Sequence, residues 1–194
     1  MKIRVVGQDP SMNNWGLVAA DIDLSKECEI TLVAMTVIRN VKKDMKQTKQ
    51  VRRSSLDLER TRDLHAGVLE FFNTHKPKFT MVEVPHGSQS ASAMKGYGIC
   101  LGILGCITTP MIALTEGECK THALGKKSAT KNEMINWAME KFPHSDWKMR
   151  KSKGELVGVD GYNEHIADAC GALETGMFSD QFINAVEMAK LLTA

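Results

Sequence analysis

The stretch VVGQDPSMNNWG, Val5–Gly16, decides the fold. A short apolar run ends in the carboxylate Asp9, a Pro-Ser turn follows, and a second run, WGLVAADI, begins almost at once behind it. That pattern puts Asp9 at the end of a strand whose neighbour returns antiparallel to it. Two later acids have similar addresses. Glu83 closes the apolar run FTMVEV, and Asp168 lies in NEHIADACGALE, which reads as a helix. A lone acid at a strand end is commonly a turn former or a helix cap. Three acids from widely separated segments that converge on one site need a cation to coexist. Their joint order points to a Mg²⁺- or Mn²⁺-dependent phosphoryl-transfer site.

Outward from this stretch, KIRVVGQ, WGLVAADID and EITLVAMTVI read as three strands joined by links short enough for an antiparallel meander. Residues 39–53 show no apolar periodicity and read as a loop or the approach to a helix. Leu56, Leu64, Val68, Leu69 and Phe72 fall near helical spacing, with Ser54 or Ser55 as candidate N-cap. FTMVEV is a buried-type strand and PHGSQSAS a polar loop. MKGYGICLGILGCI is a helix whose glycines imply close packing against a neighbour, and PMIAL is a fifth strand. Alternating strands and helices imply parallel pairing through crossovers. The expected fold is α/β: a mixed five-stranded sheet of the RNase H type, three antiparallel strands then two parallel ones, flanked by helices. Lys131 to Phe142 forms an amphipathic helix with Met134, Ile135, Ala138 and Met139 on its apolar side. Residues 144–161 read as a polar, glycine-bearing loop, and two helices divided near Gly176 end the chain. With no repeat or linker, residues 1–194 form one domain, of which 177–194 are a C-terminal helical extension.

At 194 residues, 43% hydrophobic and 25% charged, the chain is long enough for one sizeable core and ordinary in composition. No apolar run reaches the roughly 18 residues of a membrane span, and the first residues begin a strand, so a cytoplasmic protein without a membrane partner is expected. Cys28, Cys100, Cys106, Cys119 and Cys170 are scattered without a CxxC pair, and the histidines form no HExxH pair. Zinc and disulfides are not indicated. The net charge of +2 conceals a basic run of Arg39, Lys42, Lys43, Lys46, Lys49, Arg52 and Arg53 around Asp44, and a second basic region from Lys120 to Lys153. From Glu155 onward acids dominate. Basic surfaces around an acidic centre suit phosphate-backbone binding, although such runs also occur as solvated loops.

These residues together resemble the RuvC family of Holliday junction resolvases, dimeric metal-dependent endonucleases with an RNase H fold. VVGQDPSMNNWG is similar to the family's strand-end Asp followed by Pro, a small residue and a later Gly. MVEVPHGSQSASAMKGYG is similar to its strand-end Glu leading through a polar loop into a helix. CKTHALGKKSATK resembles its Lys, Gly and second Lys before a helix, and EHIADACGALE its last metal-site helix. The resemblance covers roughly Met1 to Glu174 and implies a catalytic and metal-binding set of Asp9, Glu83, His165 and Asp168. It makes Lys120 and Lys131 the matching basic residues, with Lys126, Lys127, Arg52, Arg53 and His86 as further candidates for DNA contact. His86 falls about where the family carries an aromatic wedge. The chain also departs from the pattern in its basic 39–53 stretch, its longer 144–161 loop and its extension past residue 178. A compact, divergent chain of this kind would suit a bacteriophage member.

The implied activity is metal-dependent hydrolysis of four-way and other branched DNA junctions by a homodimer, giving paired nicks. Two Mg²⁺ or Mn²⁺ ions per site about 3.5 to 4 Å apart would activate water and hold the leaving oxygen. Asp9 would bridge them, because the first strand of this fold is central. His165 and Asp168, three residues apart, share one helix face. An RNase H-type nuclease acting on flaps or RNA–DNA hybrids would use the same carboxylates. A non-catalytic junction-binding protein would not need them, and a two-lobed ATPase would need a longer chain with a second phosphate loop.

Overall fold

A computed structural model of the protein describes residues 2–25, 29–39, 53–87, 90–152, 155–158 and 160–193. Cys28, Arg52, Lys153 and nearly all of the basic stretch between Arg39 and Arg53 lie outside the described residues.

The chain begins with β1 (Lys2–Asp9), β2 (Asn14–Asp23) and β3 (Glu29–Arg39), followed by α1 (Arg53–His75), β4 (Phe79–Glu83), α2 (Ala91–Gly105) and β5 (Met111–Leu114). Then come α3 (Glu116–Leu124), α4 (Lys131–Lys141), β6 (Met149–Ser152), β7 (Glu155–Gly158), α5 (Asp160–Met177) and α6 (Asp180–Thr193). The main sheet has the order β3-β2-β1-β4-β5. β1 pairs antiparallel with β2 and parallel with β4, and β4 pairs parallel with β5. Three antiparallel strands followed by two parallel ones is the arrangement expected, with β1 at the centre.

Burial explains why β1 reads as a continuous apolar run. Val5, Val6 and Gln8 are fully buried because helices cover both faces of the sheet. Side chains alternate between those faces. Val6, Leu17, Ala19 and Val82 pack against Leu64, Val68 and Phe72 of α1 and Cys100, Ile103 and Leu104 of α2. On the other face Val5, Val18, Ala20 and Met81 meet Met134, Ile135 and Ala138 of α4, Ile166, Cys170 and Leu173 of α5, and Phe182 of α6. Asp9 has the parity of Val5 and Glu83 that of Met81. Both acids therefore point to the α5 face.

Several local expectations need correction. Ser54 and Ser55 lie inside the first turn of α1 and do not cap it. α2 starts three residues earlier than its apolar run, because the Ser90 side chain accepts from the Ala93 N–H. The 144–161 segment is no simple loop, for β6 and β7 form an antiparallel hairpin. Gly176 stands just before the division of the last two helices, as the sequence places it. It lies inside α5, where a Cβ would come 2.8 Å from Met81 Cβ, and the break falls at Phe178–Ser179. There the Ser179 hydroxyl accepts from the Phe182 N–H at 3.2 Å and begins α6. The α2 glycines Gly98, Gly102 and Gly105 have nothing within 4 Å of a Cβ position. Close packing against the described residues does not account for them.

α5 approaches the sheet most closely over Gly7 and Gly16. A Cβ on Gly7 would collide with the Ala169 carbonyl oxygen and lie 2.7 Å from Leu173 Cβ. Adding a side chain there must lift α5 or bend β1. Overpacking of this kind costs about 1 to 3 kcal/mol, and more where backbone is struck. Gly7→Val is accordingly expected to lower the urea midpoint by about 3 kcal/mol in stability, while Gly87→Val, with open space around it, leaves the midpoint within about 0.5 kcal/mol of the parent.

Candidate active site

Parallel pairing of β1 and β4 sets the frame. Gln8 is in register with Val82, so the next residues, Asp9 and Glu83, leave adjacent strands at the same level and on the same face. A buried polar trio fixes that level. Gln8 Nε2 donates to Thr80 Oγ1 at 2.8 Å, Trp15 Nε1 donates to Gln8 Oε1 at 3.1 Å, and Thr80 Oγ1 donates to the Val6 carbonyl at 3.0 Å. The trio ties β1, β2 and β4 immediately below the two acids. An unpaired amide at this depth would cost about 1 to 3 kcal/mol, so register is strongly specified.

The helix side is set by Gly16, the register partner of Asp9. A Cβ on Gly16 would lie 2.7 Å from the His165 carbonyl carbon. With hydrogen there instead, the α5 backbone comes down on β2, and His165 Nδ1 reaches Asp9 Oδ2 at 2.6 Å. Both side chains are 15% exposed. Asp168 follows one helical turn later on the same side of α5.

The charges of these groups are mutually felt. Burial, then the charges of Asp9, Asp168 and Glu116, push the Glu83 carboxyl up to about 9, with Lys120 pulling the other way. Burial and the charge of Asp9 likewise raise Asp168 well above the carboxylate range, against opposing contributions from His165 and Lys120. Burial works against a charged His165, but the hydrogen bond and charge of Asp9 outweigh it, so the imidazole is raised above its ordinary value. When protonated, His165 is a partial counter-charge for Asp9.

Lys120, on α3, and Lys131, at the start of α4, stand at this site's edge. Burial opposes the Lys120 ammonium, while its bond to Glu116 and the charges of Glu116, Asp168 and Glu83 raise it. Lys131 is raised first by its bond to Glu164, with Asp168 and Asp9 contributing. Each lysine is ion-paired, Lys120 with Glu116 and Lys131 with Glu164. Those acidic partners were not singled out from the sequence, although Glu116 is four residues before Lys120 and Glu164 adjoins His165. Lys126 pairs with Glu133 of the α4 capping box, and Lys127 packs along Gly117. His86 is exposed after β4. Arg53 begins α1, with its side chain outside the described set, and Arg52 lies outside it altogether.

Among the described residues no three His, Cys, Asp or Glu side chains are arranged to hold one ion as they stand. The donor chemistry still fits a hard divalent cation: three carboxylates supply oxygen, and their repulsion would be relieved by positive charge.

No protein-family model matches the chain, and no curated protein matches it. Solved structures do. RuvC of T. thermophilus in complex with Holliday junction substrate has a TM-score of 0.63 at 19% identity, over 89% of this chain and 92% of that one. A second Thermus thermophilus RuvC structure gives 0.61 at 19% identity with the same coverage. The yeast mitochondrial Holliday junction resolvase gives 0.55 at 11% identity, over 89% of this chain and 78% of that one. At these identities the likeness shows the fold, which is the RNase H-like arrangement of the RuvC type.

A pH dependence follows from the Glu83 shift. Folded Glu83 keeps its proton up to about 9, whereas the unfolded chain loses it near 4.5. The folded state therefore binds the extra proton between those values, and stability falls as pH rises through that window. A divalent cation would replace that proton. Millimolar Mg²⁺ is expected to raise the melting temperature by a few degrees at about pH 8 and by less at about pH 6. Glu83→Gln should shrink that difference, and Asp168, itself raised to about 7, should carry what remains. Equal Mg²⁺ shifts at both pH values in the parent protein would refute the coupling.

Proposed function

We propose that the protein is a metal-dependent, structure-selective DNA endonuclease that resolves four-way and other branched junctions with paired nicks. The observation that carries this reading is the convergence of Asp9, Glu83, His165 and Asp168 on the α5 face of a resolvase-type fold, with Lys120 and Lys131 beside them. Acid and base sit where phosphodiester hydrolysis needs them: the carboxylates for cations, the lysines for phosphate oxygens.

Asp9, Glu83 and Asp168, with His165, would hold Mg²⁺ or Mn²⁺, which when bound supplies charge neutralisation at the phosphate and an acidified water. The chain's own residues do the rest. Asp9 and Glu83 are held level by the buried Gln8–Thr80–Trp15 trio, so their spacing survives the approach of a polyanion. Through Nδ1, His165 orients Asp9 and leaves Nε2 as its remaining polar atom. Lys120 and Lys131 offer ammonium groups that exchange a carboxylate partner for phosphate at little electrostatic cost. Neither lysine reads base edges, so selectivity would follow branch geometry.

Asp9→Asn and Asp168→Asn should each slow nicking of a labelled four-way junction by on the order of 100- to 1,000-fold, the scale of losing one charge-stabilising group. Junction binding should persist, because phosphate contacts remain. The decisive assay compares four-way junction, flap and linear duplex with and without Mg²⁺. Nicking confined to flaps would sink the resolvase reading, and near-parental rates in either variant would sink the site.

Paired nicks on a two-fold junction require two active sites, which makes a symmetric homodimer part of the proposal. The outward face of α2 is the surface we assign to it. Met94 and Leu101 are 46% and 47% exposed there, beside Gly98, Gly102 and Gly105 with open space above them. Exposed glycines cost a helix about 1 kcal/mol each relative to alanine, and close approach of a second helix would offset that. Light scattering should give twice the chain mass, with Gly102→Arg giving a monomer. A strict monomer, free and junction-bound, would overturn the assignment.

A further inference from the structure

The β6–β7 hairpin is the only two-stranded element outside the main sheet among the described residues. In its first strand Met149, Arg150 and Lys151 are exposed, as is Lys148 just before it. A free two-stranded ribbon is marginal in water, yet this one is mounted at its base with unusual care. Buried Asn163 clamps it, accepting the Lys148 N–H at 3.1 Å through Oδ1 and donating to the Lys148 carbonyl at 2.9 Å through Nδ2. The returning strand meets the same side chain. A Cβ on Gly158 would lie 2.9 Å from Asn163 Nδ2, so a side chain there would break the clamp.

The mounting point is on α5, the helix that also carries His165 and Asp168. Its charge continues in one direction. Lys148 Nζ lies 3.6 Å from the Tyr162 ring centroid, Arg39 Cζ lies 5.5 Å from it, and Arg39 Nη2 donates to the Gly161 carbonyl at 3.0 Å. Arg39 and Lys148 thus meet at the Tyr162 ring, with Asp146 nearby, and Arg150 and Lys151 follow Lys148 along the first strand of the hairpin. Of the three described side chains of its first strand, two are basic, and all three are exposed.

We propose that the β6–β7 hairpin is a phosphate-binding ribbon that tracks the backbone of the nucleic-acid arm adjoining the scissile strand, with Arg150 and Lys151 as its contacts. The assignment rests on the nuclease reading, since it is the neighbouring site that makes a phosphodiester backbone the matching polyanion. A two-stranded ribbon has the dimensions to lie along a duplex groove, and backbone contacts of this type carry affinity but no sequence information.

The test is a salt titration of binding to a labelled four-way junction without divalent metal, from about 50 to about 200 mM salt. In the Arg150→Ala/Lys151→Ala variant of the full chain, two lost phosphate contacts should flatten the slope of log K against log salt by about 1.8, at about 0.9 per contact. Affinity should fall about tenfold at the low-salt end. Lys2→Ala/Lys78→Ala removes the same charge from exposed positions at the opposite end of β1 and β4, and its slope should match the parent's. Gly158→Val, which detaches the ribbon and keeps its charge, should reproduce the tenfold loss. A parental slope in Arg150→Ala/Lys151→Ala, or an equal loss in Lys2→Ala/Lys78→Ala, would overturn the ribbon alone. A parent protein that binds junctions but never nicks them with Mg²⁺ would overturn the nuclease reading and leave the ribbon standing. No DNA binding by the parent would overturn both.

Discussion

The bare contact between α5 and the strands β1 and β2 is the constraint on which the rest of the structure depends. At Gly7 and Gly16 the side-chain layer between helix and sheet is interrupted, and backbone atoms of Ala169 and His165 come down on the strands there. Because Gly16 is the register partner of Asp9, the closest approach falls beside the strand-end acid. His165 then reaches Asp9, and Asp168 arrives one turn further along. A side chain at Gly16 would strike the His165 backbone and lift the imidazole away from Asp9.

Burial by that contact also generates the electrostatics. Glu83 and Asp168 are raised first by loss of solvent and only then by neighbouring charge. The same helix that brings the acids together thus makes their joint ionisation unfavourable. Relief is distributed: His165 answers Asp9, and Lys120 answers Glu83 and Asp168 through space. The lysines are themselves held by Glu116 and Glu164. Opposite charges alternate from the centre of the site to its rim, an arrangement poised to take up cations inside and a polyanion outside. Beneath it, the neutral Gln8–Thr80–Trp15 trio holds register without adding another charge to a crowded place.

Much of this was legible because β-strand parity and helical spacing are short-range rules. Placing Asp9 and Glu83 at the ends of apolar runs, and His165 and Asp168 three residues apart, was enough to put four groups on one face once β1 was central. Elsewhere the local signals were incomplete. Glycine near the end of a helix reads as a stop, and α5 does end one residue past Gly176, but Met81 of β4 also needs the room there, a contact across nearly a hundred residues that no window can see. The hairpin was read as a loop because its strands are only four residues each and the first, MRKS, shows no apolar alternation. α3 was missed although Thr115 and Glu118 spell a capping box, both halves of which are formed, because Gly117 and few apolar residues hide its helical period. The partners of Lys120 and Lys131 lay in plain sequence, but ion pairing depends on how α3, α4 and α5 meet.

The two faces of the sheet divide the work. On one, α1 and α2 close over an apolar layer whose polar atoms are the Gln8, Thr80 and Trp15 groups already bonded to one another. All of the titratable chemistry lies on the other, where α3, α4 and α5 each deliver a charged residue to the ends of β1 and β4. At β1 the sheet changes from antiparallel to parallel pairing, and open sheets place their ligands beyond the strand ends near such a change in direction. β4 can end level with β1 only because it runs parallel to it, while β2, running the other way, begins there and supplies Gly16. An antiparallel β4 would carry Glu83 to the far edge, some five residues or roughly 17 Å away. Strand direction therefore determines whether these acids can act together, and Gly16 determines how closely α5 can approach them.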